Sequence, residues 1–150
     1  MTSPGTASEQ PPQSGYSIDF DATRRVLRVS GFGVITIELM NDADTAVRQF
    51  VADEGANFEI IDFSAVTEFR VTASEVRSFA QMPPTSPPFK LRVSVAPATV
   101  VYGMNRMYDL LIAGRRSDFQ VVRTRKEAEA LIGLGTLDFS RRLLEKLFQT

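Results

Sequence analysis

The chain contains no cysteine and no histidine. Without cysteine, disulfides, thiol nucleophiles and thiolate metal sites are excluded. Without histidine, the usual general base near neutral pH and the commonest metal ligand are missing. Catalysis would have to rest on Lys, Tyr or a carboxylate such as Asp62. The chain is therefore read as a non-enzymatic protein with no cofactor and no metal. No apolar run approaches the ~20 residues of a membrane-spanning helix. Residues 1–15 lack the basic start and apolar stretch of a secretory signal, so the expected location is cytoplasmic. A Gly-rich, Lys-containing phosphate loop is absent. Gly31-Phe32-Gly33 follows a strand and precedes a helix, but Thr36 stands where a dinucleotide fingerprint needs a third glycine, so the segment reads as a turn. Asn41-Asp42-Ala43-Asp44 has spaced oxygens without the Gly turn and distant Glu of a calcium loop, and reads as a solvated helix face.

What is present describes one globular domain. The 150 residues are 43% hydrophobic and 23% charged, enough to bury a real core. The net charge of −1 is unevenly spread: residues 115–150 hold eight basic and five acidic side chains, residues 1–114 nine basic and thirteen acidic. That asymmetry is too mild to argue for nucleic acid.

Residues 1–15, rich in Pro, Ser, Gly and Gln, are expected to be a flexible tail. Alternation at Tyr16, Ile18 and Phe20, a turn, and then Val26, Leu27 and Val29 predict an antiparallel hairpin ending at Gly31-Phe32-Gly33. Met40, Ala43, Val47, Phe50 and Val51 share one stripe of a helix from Thr36 to Asp53, stopped by Gly55. Phe58 to Phe63 is nearly continuous in apolar residues, as a strand covered on both faces should be. Thr72 and Glu75 form a capping box at the start of a helix running to Met82, where a proline-rich connector ends it. Leu91, Val93 and Val95 form a fourth strand. Thr99 is the candidate cap of a helix over Val100 to Ala113. Phe119, Val121 and Val122 form a fifth strand, and Thr124 with Glu127 caps a short helix ending at Gly133. Leu137 to Phe148 reads as an amphipathic helix. The order predicts an α/β domain over residues 16–134, a mostly parallel mixed sheet flanked by helices with an opening antiparallel hairpin, followed by the C-terminal helix in residues 135–150.

Two places stand out for function. At the end of the third strand, Asp62, Arg70, Val71, Thr72 and Glu75 offer a surface for a protein partner, because ligands and partners gather at the carboxyl ends of such strands. In the following helix, apolar residues from Val100 to Ile112 cover most of the circumference. The excess either lines a pocket for a small nonpolar ligand, bounded by Met104, Met107, Tyr108 and Leu111, or meets a partner, or is covered by the C-terminal segment. That segment sets Leu143, Leu144, Leu147 and Phe148 against Arg141, Arg142 and Lys146. Docking on the domain or pairing with a second subunit is expected of it, and peripheral membrane contact would be weak.

Tyr102-Gly103-Met104-Asn105-Arg106-Met107-Tyr108, followed by a strand and a capped Arg-Lys-Glu-Ala helix, resembles the SpoIIAA-like group of STAS-related proteins. Ile60-Ile61-Asp62-Phe63-Ser64-Ala65-Val66 resembles the third strand of the same group. The resemblance covers about Tyr16 to Leu134. It implies a STAS-like mixed sheet flanked by helices and a protein-interaction or regulatory role. Anti-sigma-factor antagonists of this kind carry a phosphorylated serine at the strand-three junction. Here Arg70, Val71, Thr72 and Ala73 stand at the corresponding positions. Val71 has no hydroxyl and Thr72 is committed to capping, so the resemblance implies a module without the phosphorylatable serine. For the SpoIIAA-like group it further implies carriage or sensing of a nonpolar, lipid-like molecule, or membrane association.

Overall fold

The computed structural model describes residues 13–149. The elements in chain order are β1 (Ser14–Asp21), β2 (Val26–Ile35), α1 (Ile37–Asp53), β3 (Phe58–Phe69), α2 (Ala73–Ala80), β4 (Leu91–Val95), α3 (Thr99–Ile112), β5 (Phe119–Val122), α4 (Arg125–Ile132) and β6 (Arg141–Phe148). The strands form a single six-stranded sheet in the order β5-β4-β3-β2-β1-β6. β2, β3, β4 and β5 run parallel, and β1 is antiparallel to both its neighbours. This is the mixed α/β sheet with an opening hairpin that the strand and helix order predicts.

Strand periodicity sorts the side chains onto two faces. Tyr16, Ile18, Phe20, Leu27 and Val29 share one face with the buried stripe of α1, Leu39, Ala43, Val47 and Val51, and with Val76 of α2. Met104, Met107 and Tyr108 of α3 pack onto the same cluster. Val26, Ile60, Val93 and Val95 point to the other face, where Ala128 and Ile132 of α4 cover them together with Leu137 and Phe139. Among the described residues, one face thus carries three helices and the other one. No helix among the described residues is long and apolar enough to cross a membrane.

The helix starts follow their capping residues. Thr36 accepts a hydrogen bond from the Leu39 amide, and Thr72 and Glu75 form the reciprocal capping box. Thr124 accepts from the Glu127 amide, and Gly133 closes α4 in the left-handed conformation. α3 departs from expectation: Ala98 holds the cap position without a side-chain hydrogen bond, and Thr99 is already helical.

The principal correction is at the C-terminus. Leu137 to Phe148 is not an amphipathic helix, and residues 141–148 instead form β6, an edge strand paired with β1. The apolar spacing misleads because the β1–β6 register shifts between Ile18 and Asp19, so that Ile18 opposes Leu144 while Asp19 opposes Arg142. Leu143 is the extra residue of this bulge. An added residue reverses strand parity, which lets Leu143 join Phe148 on the core cluster although five positions separate them. An unbroken strand would send them to opposite faces. The C-terminal segment therefore docks on the domain by backbone pairing and does not cover α3. β6 lies at the opposite end of the sheet from β5.

The tail expected over residues 1–15 lies outside the described residues as far as residue 12, but Ser14 and Gly15 belong to β1. The Ser14 hydroxyl accepts from the Val34 amide at 2.8 Å. A Cβ on Gly15 would collide with the Lys146 backbone carbonyl, so glycine is what allows β6 to approach here. Gly31-Phe32-Gly33 is not the end of β2, which continues to Ile35. Gly33 has φ +72°, and the register with β3 shifts beside it, so the glycine serves a strand irregularity.

Candidate functional site

β3, β4 and β5 run in register, so that Glu59, Arg92 and Phe119 lie side by side on the three-helix face. On the other side of Glu59 the row continues through Leu27 to Phe20. A carboxyl and a guanidinium therefore sit in the middle of an apolar layer, 7% and 9% exposed. Above this row, between the sheet and α1, α2 and α3, is a cavity of about 120 Å³. Its wall is mainly apolar, with Val29, Ile61 and Phe63 below and Leu39, Met40, Val76, Phe79 and Met104 above. Glu59, Arg92 and Tyr108 line it as well.

Arg92 is held on two sides. Its Nε donates to Asp118 at 2.9 Å and its Nη1 to the Tyr108 hydroxyl oxygen at 3.0 Å. Arg116 donates to the same Asp118 carboxylate at 2.8 Å. Burial opposes the Asp118 charge, but the guanidiniums of Arg116 and Arg92 hold its carboxyl below the usual range. Burial likewise opposes the charge of Arg92, yet Tyr108, Glu59 and Asp118 outweigh it and hold the guanidinium more firmly protonated than usual. The Nη2 of Arg92 is buried and has no hydrogen-bond acceptor among the described residues. The ring of Tyr108 is fixed edge-on against Phe119, with centroids 4.9 Å apart.

Glu59 makes no side-chain hydrogen bond among the described residues. Burial pushes its carboxyl up to about 7, although the neighbouring Arg92 charge pulls the other way. The other polar groups on the cavity wall are committed. Asn105 accepts from Ser94 and donates to the Val101 carbonyl. Asp44 pairs with Arg48, and the Tyr16 hydroxyl donates to Asp42. Burial, then that hydrogen bond and the Asp42 charge, raise the Tyr16 phenol above its ordinary range.

Of the four residues expected to bound a nonpolar pocket, Met104 and Tyr108 line this cavity. Met107 packs on the core cluster, and Leu111 is exposed. The apolar excess of α3 is divided: Val101 and Ile112 are buried, while Val100 and Leu110 face solvent.

The five residues expected to form a partner surface are not brought together. Asp62 is buried on the α4 face, where it accepts from Arg125 at 2.7 Å and from the Ser64 amide at 2.9 Å. Val71 is buried in the core. Arg70, Thr72 and Glu75 remain together at the start of α2. Arg70 is exposed and pairs with Glu68 at 2.9 Å. The Thr72 side chain accepts from the Glu75 amide at 3.1 Å, and Glu75 accepts from the Thr72 amide at 2.9 Å. Among the described residues no cluster of acidic side chains could hold a metal ion.

Glu59 and Arg92 escape a reading based on strand pattern. The signal was nonetheless available: an acid inside the Phe58–Phe63 run, a strand covered on both faces, has nowhere to go but inward.

The solved structure of an uncharacterised protein of the DUF3478 family with a SpoIIAA-like fold, from Shewanella loihica PV-4, matches 88% of this chain and 98% of its own length, with a TM-score of 0.53 and 12% identity. The chain therefore has a SpoIIAA-like fold. No family model and no curated protein matches it.

Proposed function

We propose that this protein is a non-enzymatic binding module that holds a small, mostly apolar molecule between its sheet and α1, α2 and α3. The observation that carries the reading is the cavity of about 120 Å³ above the Glu59–Arg92 row. The pocket opens to solvent on one side, and its volume approaches that of a cavity of ~150 Å³ with apolar walls, which admits benzene. A ligand bound only to the folded state raises its melting temperature. Toluene and 1-pentanol are expected to produce such a rise, and native mass spectrometry to show one molecule bound per chain. No shift across a series of small apolar compounds, together with an unliganded mass, would remove the reading.

A protein-interaction or regulatory role, without a phosphorylatable serine, is the second reading. It is supported by the exposure of Arg70 and Thr72 at the start of α2 and of Val100 and Leu110 on α3. Val100 and Leu110, and Leu144 and Leu147 of β6, are exposed apolar residues available for peripheral membrane contact. Arg70→Glu is expected to weaken capture of a protein partner, and equal recovery by wild type and variant would sink that surface.

A further inference from the structure

We propose that the cavity is built for a short-chain monocarboxylic acid, its hydrocarbon on the apolar wall and its carboxylate at the corner formed by Arg92, Tyr108 and Glu59. The proposal rests on the ligand-binding reading and adds the chemistry of the head group.

The unused hydrogen-bonding capacity of the wall is concentrated at this corner. Arg92 Nη2 is a buried donor with no acceptor among the described residues. The Tyr108 oxygen accepts from Arg92, which leaves its own O–H proton to donate. Glu59 is buried beside Arg92 in register and lacks a partner among the described residues. Buried donors left unpaired are unfavourable, so an occupant that supplies acceptors here gains more than one that only fills space. The remainder of the wall is mainly apolar, so the complementary molecule has one polar end and a hydrocarbon body. A volume of about 120 Å³ limits the enclosed part to about six non-hydrogen atoms, close to benzene in size.

The charge of the head follows from what faces Glu59. Arg92 approaches from β4, Tyr108 from α3, Asp44 from α1, and Asp118 and Arg116 from the connection into β5. Asp44 is paired with Arg48, and one Asp118 carboxylate is shared by Arg92 and Arg116. With Glu59 protonated, the corner carries one unbalanced positive charge. An ammonium head would meet the fixed charge of Arg92. A hydroxyl head would offer one oxygen to several donors. A carboxylate offers two oxygens that accept from the hydroxyls of Tyr108 and protonated Glu59 beside the fixed charge of Arg92. Two carboxylates in one buried corner cannot both stay ionised, so the bound acid keeps a proton on Glu59. Above neutral pH that proton comes from solvent, and binding takes up about one proton per ligand, weakening about tenfold per pH unit.

The test compares pentanoate, 1-pentanol and pentylammonium, matched in carbon chain, by calorimetric titration of the full chain at pH 6 and pH 8. Pentanoate is expected to bind tightest at pH 6 and to weaken about tenfold by pH 8, with proton uptake visible as a dependence of the heat on buffer ionisation. Glu59→Gln is expected to bind pentanoate with most of that pH dependence gone. Tighter binding of the alcohol or the ammonium would overturn the acid proposal while leaving the apolar cavity as a binding site. Pentanoate binding of equal strength at both pH values would overturn the Glu59 role. Failure of all three compounds to bind would remove the cavity reading itself. The wild-type comparison decides the head group even if the variant does not fold.

Discussion

The two faces of the sheet both bury carboxylates, and they treat them differently. On the α4 face, Asp19, Asp21 and Asp62 are 1–2% exposed, and each is fully engaged. Asp19 accepts from Arg28 at 3.1 Å and from Arg142 at 2.5 Å. Asp21 accepts from the Arg24 backbone and side chain and from the Asp138 amide, which hold its carboxyl below the usual range despite burial. Asp62 is shared by Arg125 and the Ser64 amide. On the three-helix face, Glu59 is buried with no such partner among the described residues. A buried guanidinium nitrogen without an acceptor among those residues occurs on both faces, Arg92 Nη2 here and Arg28 Nε on the α4 face, so the contrast lies in the carboxyls. Burial of a charge is thus no functional signal by itself. On one face it joins the C-terminal strand to the sheet, and on the other its incomplete satisfaction marks a cavity.

The largest loss of stability is expected from substitution of Asp19. Its carboxylate joins Arg28 of β2 to Arg142 of β6, so Asp19→Ala strands one partly buried guanidinium and loosens the edge strand. Removing one partner of a buried ion pair typically costs roughly 3–5 kcal/mol, and the exposure of Arg142 places the expected loss at about 3 kcal/mol. Urea unfolding monitored by circular dichroism measures it. A loss under about 1 kcal/mol would mean that these ion pairs behave like exposed ones, and the contrast between the faces would fail.

Local chemistry made much of this fold legible before any coordinates. Thr36, Thr72 and Thr124 mark the helix starts because a side-chain cap is a local interaction. The apolar continuity of β3 announces a strand covered twice. β6 was not legible, because its apolar spacing includes a bulge whose position depends on pairing with β1, more than a hundred residues earlier in the chain. The site was half legible. Met104 and Tyr108 follow from the breadth of the apolar helix. Asp62 and Glu59 differ only in strand parity: three positions apart, they point to opposite faces, and only the helices above each face decide which carboxyl meets a guanidinium from a neighbouring element and which meets a cavity. Arg92 sits between Leu91 and Val93 and reads as the solvent side of a half-buried strand until α3 is placed over it.

Glu59 is buried without adequate compensation, and the dependence of stability on pH measures this. Its carboxyl titrates at an ordinary 4.5 when unfolded and at about 7 when folded. Below pH 4.5 both states hold the proton and Glu59 contributes no pH dependence. Between 4.5 and 7 the unfolded state releases the proton first, so stability falls as pH rises, and above 7 the full penalty is present. At 1.36 kcal/mol per pH unit the penalty is about 3 kcal/mol, less whatever Gln loses as an imperfectly bonded amide in the same place. The measurement is the difference in unfolding free energy between Glu59→Gln and wild type at pH 4, 6 and 8, without added ligand. The expected result is a difference that moves in favour of the variant by about 2–3 kcal/mol between pH 4 and pH 8. A difference that stays constant across that range would contradict the account, because it would mean that Glu59 ionises in the folded protein as readily as in water.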